Sequence, residues 1–106
     1  MLFSKEWIKV KFEVEKLKEA QKEFTSLSKK QQEILNEDYH IIKTKGIEYV
    51  KTRYLAPKLF EIKTKDLRSL FKYEEGQIII IGLIYEKDSQ KAPNYYIKLA
   101  KKRLKP

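Results

Sequence analysis

The chain has 106 residues, 42% hydrophobic and 12% aromatic, with 24 Lys and Arg against 15 Asp and Glu and a net charge of +9. This length supports one hydrophobic core, the apolar content is too high for a disordered chain, and the absence of cysteine excludes disulfides and thiolate metal sites. Because the longest apolar run, residues 78–85, is far shorter than the roughly 20 residues of a membrane helix, the sequence predicts one cytoplasmic domain over residues 1–106 that enters no membrane.

Positive charge is concentrated in the second half of the chain. Residues 1–56 carry 12 basic and 9 acidic side chains, whereas residues 57–106 carry 12 and 6. A basic surplus of this kind is typical of domains that bind nucleic acid. Any surface for a polyanion is therefore expected in the second half.

The first half predicts a strand followed by a helical hairpin. Apolar and charged residues alternate over residues 8–14, which is the period of a half-buried strand. Apolar residues then recur every three or four positions over residues 16–46. Ser28 and Gln31 predict a capping box that begins the second helix, and Gly46 is placed to end it.

The second half predicts three strands and a closing helix. Alternating or continuous apolar residues mark three strands, at 59–63, 67–73 and 78–85. Gly76 predicts a hairpin turn, and Asn94 is predicted to cap a helix that turns Tyr96, Leu99, Ala100 and Leu104 to one side. The order β-α-α-β-β-β-α predicts an α+β domain, an antiparallel sheet with a helical hairpin and a C-terminal helix. The first strand is expected at an edge of the sheet.

Most familiar catalytic devices are absent from the sequence. His40 has no neighbouring ligand set, so a surface or partly buried structural histidine is the favoured interpretation. The three glycines are isolated, which excludes a Gly-rich phosphate loop, and the carboxylates lack metal-ligand spacing. No metal or cofactor is predicted.

Cations are interleaved with aromatic residues in the second half. They are Lys63, Lys65, Arg68, Lys72, Lys87 and Lys91, together with Tyr73, Tyr85, Tyr95 and Tyr96. Strand alternation places Lys63 and Arg68 on the face opposite Ile62, Leu67 and Ser69. Such a face suits RNA, because cations neutralise phosphates and rings stack on bases. A solvated, lysine-rich sheet face is the other interpretation, and composition leaves both open.

Several short motifs follow one another in this half at characteristic spacing. They are residues 59–63, Arg68, residues 76–81, residues 85–93 and a helix end at Lys102-Arg103-Leu104. Together they resemble the phage-derived HigB-like toxins of the RelE/ParE superfamily. The chain departs from that pattern at Lys63 in place of arginine, Asp88 in place of lysine, and Leu83 where many relatives carry histidine.

The resemblance implies a RelE/ParE-like fold and the toxin of a type II toxin–antitoxin system, a ribosome-dependent mRNA endonuclease that works without a cofactor. The implied partners are the ribosome with its mRNA and a cognate antitoxin, expected to be a helix-turn-helix protein of the HigA type. Oligomers are expected to form mainly through the antitoxin. A toxin of net charge +9 also favours an acidic partner.

The resemblance further implies roles for single residues in cleavage by the RNA's own 2′-OH. Lys63 or Lys65 would accept the 2′-OH proton, Arg68 would neutralise the phosphorane, and Lys87 would protonate the leaving oxygen or hold a phosphate. RNA contacts are implied for Lys72, Tyr85, Lys91 and Tyr95.

Two alternatives stay open. One is a ParE-like toxin that poisons DNA gyrase by binding, against which the cations at 63–68 and 87–91 speak weakly. The other is an inactive phage-borne homologue that acts only as a binding module, an interpretation that the departures at Leu83 and Asp88 keep open.

Overall fold

A computed structural model describes residues 11–88 and 91–105 of the chain. The described residues form five strands and three helices: β1 (Glu13–Lys16), α1 (Lys18–Ser26), α2 (Lys29–Thr44), β2 (Lys51–Ala56), β3 (Leu59–Thr64), β4 (Leu67–Glu74), β5 (Ile78–Glu86) and α3 (Pro93–Arg103). A single 3₁₀ turn, Ile47–Tyr49, precedes β2. The predicted α+β class, with a helical hairpin and a closing helix, is confirmed. No helix of the described ranges has the length and apolar content needed to cross a membrane.

The strands form one sheet in the order β1-β5-β4-β3-β2. Strands β2 to β5 are an antiparallel meander, and β1 pairs in parallel with β5, from Glu13 opposite Ile78 to Lys16 opposite Ile81. The predicted edge position of the first strand is confirmed. Its bounds differ from the prediction, because β1 overlaps the predicted residues 8–14 only at 13 and 14 and continues to Lys16. Of the alternating residues that predicted it, Ile8 and Val10 lie outside the described residues.

The prediction of three consecutive antiparallel strands is wrong, because the meander contains a fourth strand, β2, that the sequence did not predict. Residues 51–54 of β2 are exposed, since the strand lies at the edge of the sheet. An exposed edge strand needs no alternation of apolar and polar residues, which is the signal that reveals half-buried strands. Its register is nevertheless well defined, with Arg53 opposite Glu61 of β3.

Helix α2 and the β4–β5 hairpin turn lie where the sequence predicted. The Ser28 hydroxyl accepts the Gln31 amide at 3.1 Å, and the Gln31 side chain accepts the Ser28 amide at 3.0 Å, so the capping box is confirmed. Gly46, with φ 132°, follows the last turn of α2 and donates its amide to the Ile41 carbonyl. Gly76, with φ 83°, lies in the β4–β5 hairpin.

The sheet separates two apolar cores. On one face α1 and α2 bury Phe24, Leu35 and Ile42 against the sheet, with Phe71 and Ile81 among its contributions. On the other face α3 packs Tyr96, Leu99, Ala100 and Leu104 over the sheet, as predicted. The predicted Asn94 cap is wrong: Ala92 is the N-cap and Pro93 the first helical residue, because proline has no amide hydrogen to satisfy there.

A β-bulge in β5 fixes the position of α3. Phe71 pairs with Ile81 and Leu70 pairs with Leu83, which leaves Gly82 as an extra residue. A Cβ at Gly82 would lie 2.6 Å from Leu104 Cγ, so the missing side chain lets α3 approach the strand. Arg103 Nη1 donates to the Gly82 carbonyl at 2.9 Å and forms an ion pair of 2.9 Å with Glu23 of α1. Glu23 also accepts the amide of Ile84 at 3.0 Å.

We expect Gly82→Ala to lower the free energy of unfolding by about 1–3 kcal/mol, because the new methyl group displaces Leu104. In a Leu104→Ala background the methyl group enters vacated space, so the same change should cost less than about 0.5 kcal/mol. Urea denaturation of the four proteins measures this coupling. An equal cost of Gly82→Ala in both backgrounds would contradict the contact between Gly82 and Leu104.

One polar pair lies inside the core between α2 and the sheet. The Tyr39 hydroxyl and the Ser69 hydroxyl are 2.7 Å apart, and Tyr39 is 3% exposed. Burial raises the pKa of the Tyr39 phenol, the hydrogen bond to Ser69 opposes this rise, and the charge of Asp38 adds to it. The folded protein therefore keeps a proton on Tyr39 at a pH where the unfolded chain loses it.

The contribution of Tyr39 to stability is thus complete below the unfolded pKa of about 10 and falls as the pH rises above it. We expect Tyr39→Phe to cost about 1–3 kcal/mol at pH 8, since Ser69 loses its partner, and this difference from the wild type to shrink by pH 11. Urea denaturation at pH 8, 10 and 11 measures it. Tyr49→Phe, at an exposed tyrosine, is the matched control. A difference that stays constant with pH would refute the role of Tyr39.

Candidate functional site

A cleft of about 290 Å³ lies between the sheet and the beginning of α3. It is lined by residues of β2, β3, β4, β5, the segment after β5, and α3: Arg53, Leu55, Glu61, Lys63, Arg68, Tyr85, Lys87, Pro93 and Ile97. Four of these nine side chains are cationic and one is acidic. We refer to this surface as the cleft.

Strand register brings the polar residues of the cleft into two rows. Lys63 of β3 lies opposite Arg68 of β4, which lies opposite Tyr85 of β5. In the neighbouring row Arg53 of β2 lies opposite Glu61 of β3. Since side chains alternate between the faces of a sheet, these residues share the face that α3 covers.

The face of the sheet opposite the cleft carries the residues that strand alternation predicted for it. Ile62 and Leu67 belong to the core under α1 and α2, and Ser69 bonds to Tyr39 of α2. The predicted separation of Lys63 and Arg68 from these three residues is therefore confirmed.

Arg68 is held rigidly although it carries a charge. The residue is 9% exposed, and its Nη1 donates to the Lys65 carbonyl at 2.6 Å and the Leu67 carbonyl at 3.0 Å. Its Nε lies 3.8 Å from Glu61 Oε2, and Glu61 is 4% exposed. Both ions are nearly removed from water, so each depends on the other for compensation. The guanidinium consequently has one orientation in the cleft.

Two lysines lie beside Arg68. Lys63, half-buried, is its cross-strand neighbour, and the exposed Lys87 follows the end of β5. The Lys87 amide donates to the Asp66 carbonyl at 2.7 Å, which ties this segment to the β3–β4 turn. Both lysines line the cleft.

Tyrosines extend the cleft towards α3. The rings of Tyr85 and Tyr96 are stacked, with centroids 3.8 Å apart and planes at 9°. Tyr95 meets Tyr96 edge to face at 5.2 Å, is 47% exposed, and carries the Lys91 ammonium 5.1 Å above its ring centre. Burial raises the pKa of Tyr85, the Glu61 carboxylate raises it further, and the Arg68 guanidinium lowers it. The phenol therefore stays protonated at neutral pH.

The structure brings some of the predicted site residues together and separates others. Lys63, Arg68, Lys87 and Tyr85 line the cleft. Lys65 occupies the β3–β4 turn with φ 54° and meets Arg68 through its carbonyl group. Other predicted residues do not line the cleft: Lys72 lies further along β4, paired with Glu74 at 3.8 Å, and Lys91 and Tyr95 flank the tyrosine stack.

Two charged residues of the cleft, Arg53 and Glu61, were not predicted from the sequence as site residues. Arg53 belongs to the undetected β2, so no strand period placed it on this face. Glu61 had a usable signal, because the alternation that sends Lys63 to the cleft sends Glu61 to the same face. A carboxylate amid predicted cations would have been recognised as the partner of one of them.

Leu83 and His40, which were discussed as sequence features, do not line the cleft. Leu83, one of the departures from the HigB-like pattern, is 1% exposed and packs in the core under α3. His40 is on the exposed side of α2. In the described part of the chain no three His, Cys, Asp or Glu residues are grouped as metal ligands would be. The chemistry available in the cleft is that of guanidinium, ammonium, carboxylate and phenol groups.

Residues 22–105 match the family described as "Phage derived protein Gp49-like (DUF891)". The fold is similar to a chain of the archaeal RelE-RelB complex from Pyrococcus horikoshii OT3, with a TM-score of 0.61 and 18% identity over 73% of this chain and 96% of that chain. It is also similar to the isolated E. coli RelE toxin, with a TM-score of 0.56 and 15% identity over 83% and 95% of the two chains. No curated protein sequence matches the chain. The predicted RelE-like fold is confirmed.

Burial distinguishes two ion pairs of equal length. Glu61–Arg68 and Glu74–Lys72 both measure 3.8 Å, but the Glu74 side chain is 48% exposed. We expect Glu61→Gln to lower the free energy of unfolding by about 2–4 kcal/mol, since a buried guanidinium loses its counter-charge. The control Glu74→Gln should cost less than about 1 kcal/mol. Urea denaturation of both variants measures the costs, and equal costs would show that Arg68 does not depend on Glu61.

Proposed function

Since this chain belongs to the phage-derived Gp49-like family, we propose that it is the toxin of a type II toxin–antitoxin system and cleaves mRNA on the ribosome, in the manner of HigB-like toxins. The RelE-like fold supports the toxin assignment. The observation that carries the cleavage assignment is the row of Lys63, Arg68 and Tyr85 across three strands, open to one cleft. Cations of this density suit a substrate whose reacting group is a phosphodiester.

The proposed reaction uses the nucleophile that RNA itself supplies. The ribose 2′-oxygen forms a bond to the adjacent phosphorus while the bond from phosphorus to the 5′-oxygen breaks. A base takes the 2′ proton, cations neutralise the phosphorane, and an acid protonates the leaving 5′-oxygen. The products are a 2′,3′-cyclic phosphate and a 5′-hydroxyl end.

Arg68 is the proposed stabiliser of the phosphorane. A guanidinium keeps its charge at every pH of interest and donates charge-assisted hydrogen bonds to phosphate oxygens. Nη1 and Nε of Arg68 already face protein groups, which leaves Nη2 for the substrate. Because the side chain is held before substrate arrives, little reorganisation is required during the reaction.

The lysines are the proposed proton-transfer groups. Lys63 is the cross-strand neighbour of Arg68. A phosphate bound by Arg68 would therefore bring the 2′-oxygen of the adjacent ribose near the Lys63 amine. Lys65 is the weaker candidate for the base, since it is not among the residues that line the cleft. Lys87 follows the end of β5, two residues beyond Tyr85, lines the same cleft, and is the proposed acid or second phosphate ligand.

Tyr85 and Tyr95 have different proposed roles. One face of the Tyr85 ring is covered by Tyr96, so Tyr85 acts through its hydroxyl, which aligns the 2′-OH or a phosphate oxygen. Its raised pKa favours the protonated, donating form. Tyr95, with its exposed ring and the Lys91 cation beside it, is the proposed platform for a base. Lys72 would contact RNA only beyond the cleft.

The proposed partners follow from the toxin assignment. One of the similar structures is titled as a complex of RelE with RelB, which supports a cognate antitoxin here. We expect a helix-turn-helix antitoxin of the HigA type, encoded next to the toxin, through which oligomers form. The ribosome with its bound mRNA is the proposed target.

We expect Arg68→Gln to lower the rate of mRNA cleavage in a purified translation reaction at least about 100-fold, because one phosphorane-stabilising cation is lost. Lys63→Met should lower it by about 100-fold or more through loss of the base. Lys98→Gln, on the exposed surface of α3, is the control and should retain the wild-type rate. Primer extension measures cleavage, and circular dichroism checks that each variant is folded.

The same experiment separates the competing functions. A substrate carrying 2′-O-methyl groups should not be cut, and cutting of that substrate would refute 2′-OH attack. Induction in cells should shorten transcripts. Broken chromosomal DNA with intact transcripts would instead support a gyrase poison. If both transcripts and DNA stay intact, the result would support an inactive homologue.

A further inference from the structure

A second concave surface lies at the other end of α3. The β2–β3 turn, the end of β4 and the last turn of α3 enclose about 490 Å³ there. The apolar side chains that line it on the α3 side of the sheet are those of Pro57, Leu59 and Leu104. We refer to it as the lysine groove, because four lysines surround this apolar lining.

The charge of the lysine groove is strongly one-sided. The lysines are Lys58, Lys72, Lys101 and Lys105, and Glu74 is the single acidic lining residue. Glu74 is already paired with Lys72 at 3.8 Å. The lining residues therefore carry a net charge of +3, which favours a ligand that brings several carboxylates or phosphates.

Lys58 occupies a backbone position that favours glycine. It follows Pro57 in the β2–β3 turn and has φ 63°, a left-handed conformation that is strained for a residue with a Cβ. Glycine would relieve that strain and lose the charge. Lys58 thus places a cation beside the groove at a backbone position where glycine would be less strained.

The apolar lining distinguishes between two kinds of anion. Pro57, Leu59 and Leu104 offer only aliphatic side chains, whereas nucleic-acid bases stack on aromatic rings. Tyr73 is the one aromatic residue at the groove, and its ring lies on the opposite face of the sheet against Phe12, Phe60 and Phe71. Aliphatic side chains flanked by carboxylates would fill the groove, whereas a ribose-phosphate backbone would leave its apolar lining uncovered.

We propose that the lysine groove binds an acidic amphipathic segment of the antitoxin, with aliphatic residues on the apolar lining and carboxylates on the lysines. This inference rests on the proposed toxin function and deepens it by naming the surface that the partner uses. The groove and the cleft lie at opposite ends of α3, with Leu104 lining the first and Pro93 the second. The antitoxin and the RNA held in the cleft thus have separate contacts on the same face of the sheet, and Lys72 is the one lysine of the groove that is also proposed to contact RNA.

The probe is a fluorescent peptide of about 18 residues in which leucine recurs every three or four positions among glutamates, so that one helical face is apolar. Fluorescence anisotropy with the full chain measures its dissociation constant. We expect the double substitution Lys58→Glu, Lys101→Glu to raise this constant at least about 10-fold. The matched control, Lys98→Glu with Lys102→Glu, changes the same charge on exposed residues outside the groove and should alter it less than about threefold.

A single substitution tests the strained lysine separately. Lys58→Gly should weaken peptide binding severalfold and raise the midpoint of thermal unfolding by about 2–5 °C, because strain is relieved while charge is lost. A variant that is more stable yet binds less cannot owe its weaker binding to misfolding.

Three outcomes would overturn the proposal. Equal losses of peptide affinity in the two double variants would show that net charge alone explains the effect. Equal binding of a peptide with serine in place of leucine would remove the role of the apolar lining. Loss of affinity for a single-stranded RNA in the Lys58, Lys101 variant alone would make the groove an RNA surface. Anisotropy needs no RNA cleavage, so failure of the endonuclease assignment and failure of the groove are read separately.

Discussion

The attachment of α3 to the bulge of β5 is the contact on which both concave surfaces depend. Gly82 lets Leu104 rest against the strand, and Arg103 joins the Gly82 carbonyl to Glu23 of α1. Glu23 in turn accepts the Ile84 amide, so three elements meet in one hydrogen-bonded unit. The beginning of α3 forms a wall of the cleft, and its last turn forms a wall of the lysine groove. A shift of the helix on the sheet would therefore open one surface and distort the other.

The Glu61–Arg68 pair is difficult to explain by stability alone. Removing two ions from water costs more free energy than an ion pair at 3.8 Å recovers. A protein in which aliphatic residues of similar volume replace such a pair is often as stable or more stable. What the pair does provide is a cation of fixed orientation on the floor of a polar cleft. Carbonyl groups of Lys65 and Leu67 add to that restraint. The local geometry is thus better suited to binding an anion than to strengthening the fold.

Local signals determined which elements the sequence could predict. The Ser28 capping box and the turn at Gly76 act over a few residues, and both were predicted correctly. The Asn94 cap, an equally local signal, was wrong because Pro93 occupies the first helical position. Strand β2 gave no signal because an exposed edge needs no apolar period, and Arg53 was lost with it. Lys65 and Lys72 lie close to Arg68 in sequence, but the β3–β4 turn and the distance along β4 keep both out of the cleft. Site membership follows from strand register, which is a property of pairs of strands and cannot be read from one segment.

The basic surplus of the second half supplies two surfaces of different chemical character. The cleft combines cations with a buried carboxylate and phenol groups, whereas the lysine groove combines cations with aliphatic side chains. An acidic partner in the groove would act on RNA binding even without entering the cleft, because the net charge of the chain sets its long-range attraction to a polyanion. That attraction reaches about 8 Å at physiological ionic strength, so neutralising the groove's charge of +3 would weaken the field nearby more than the field at the far end of α3. Inhibition by charge alone would then be partial, so an antitoxin of the proposed kind would need a further effect on the cleft, either direct contact along α3 or a shift of α3 on the sheet.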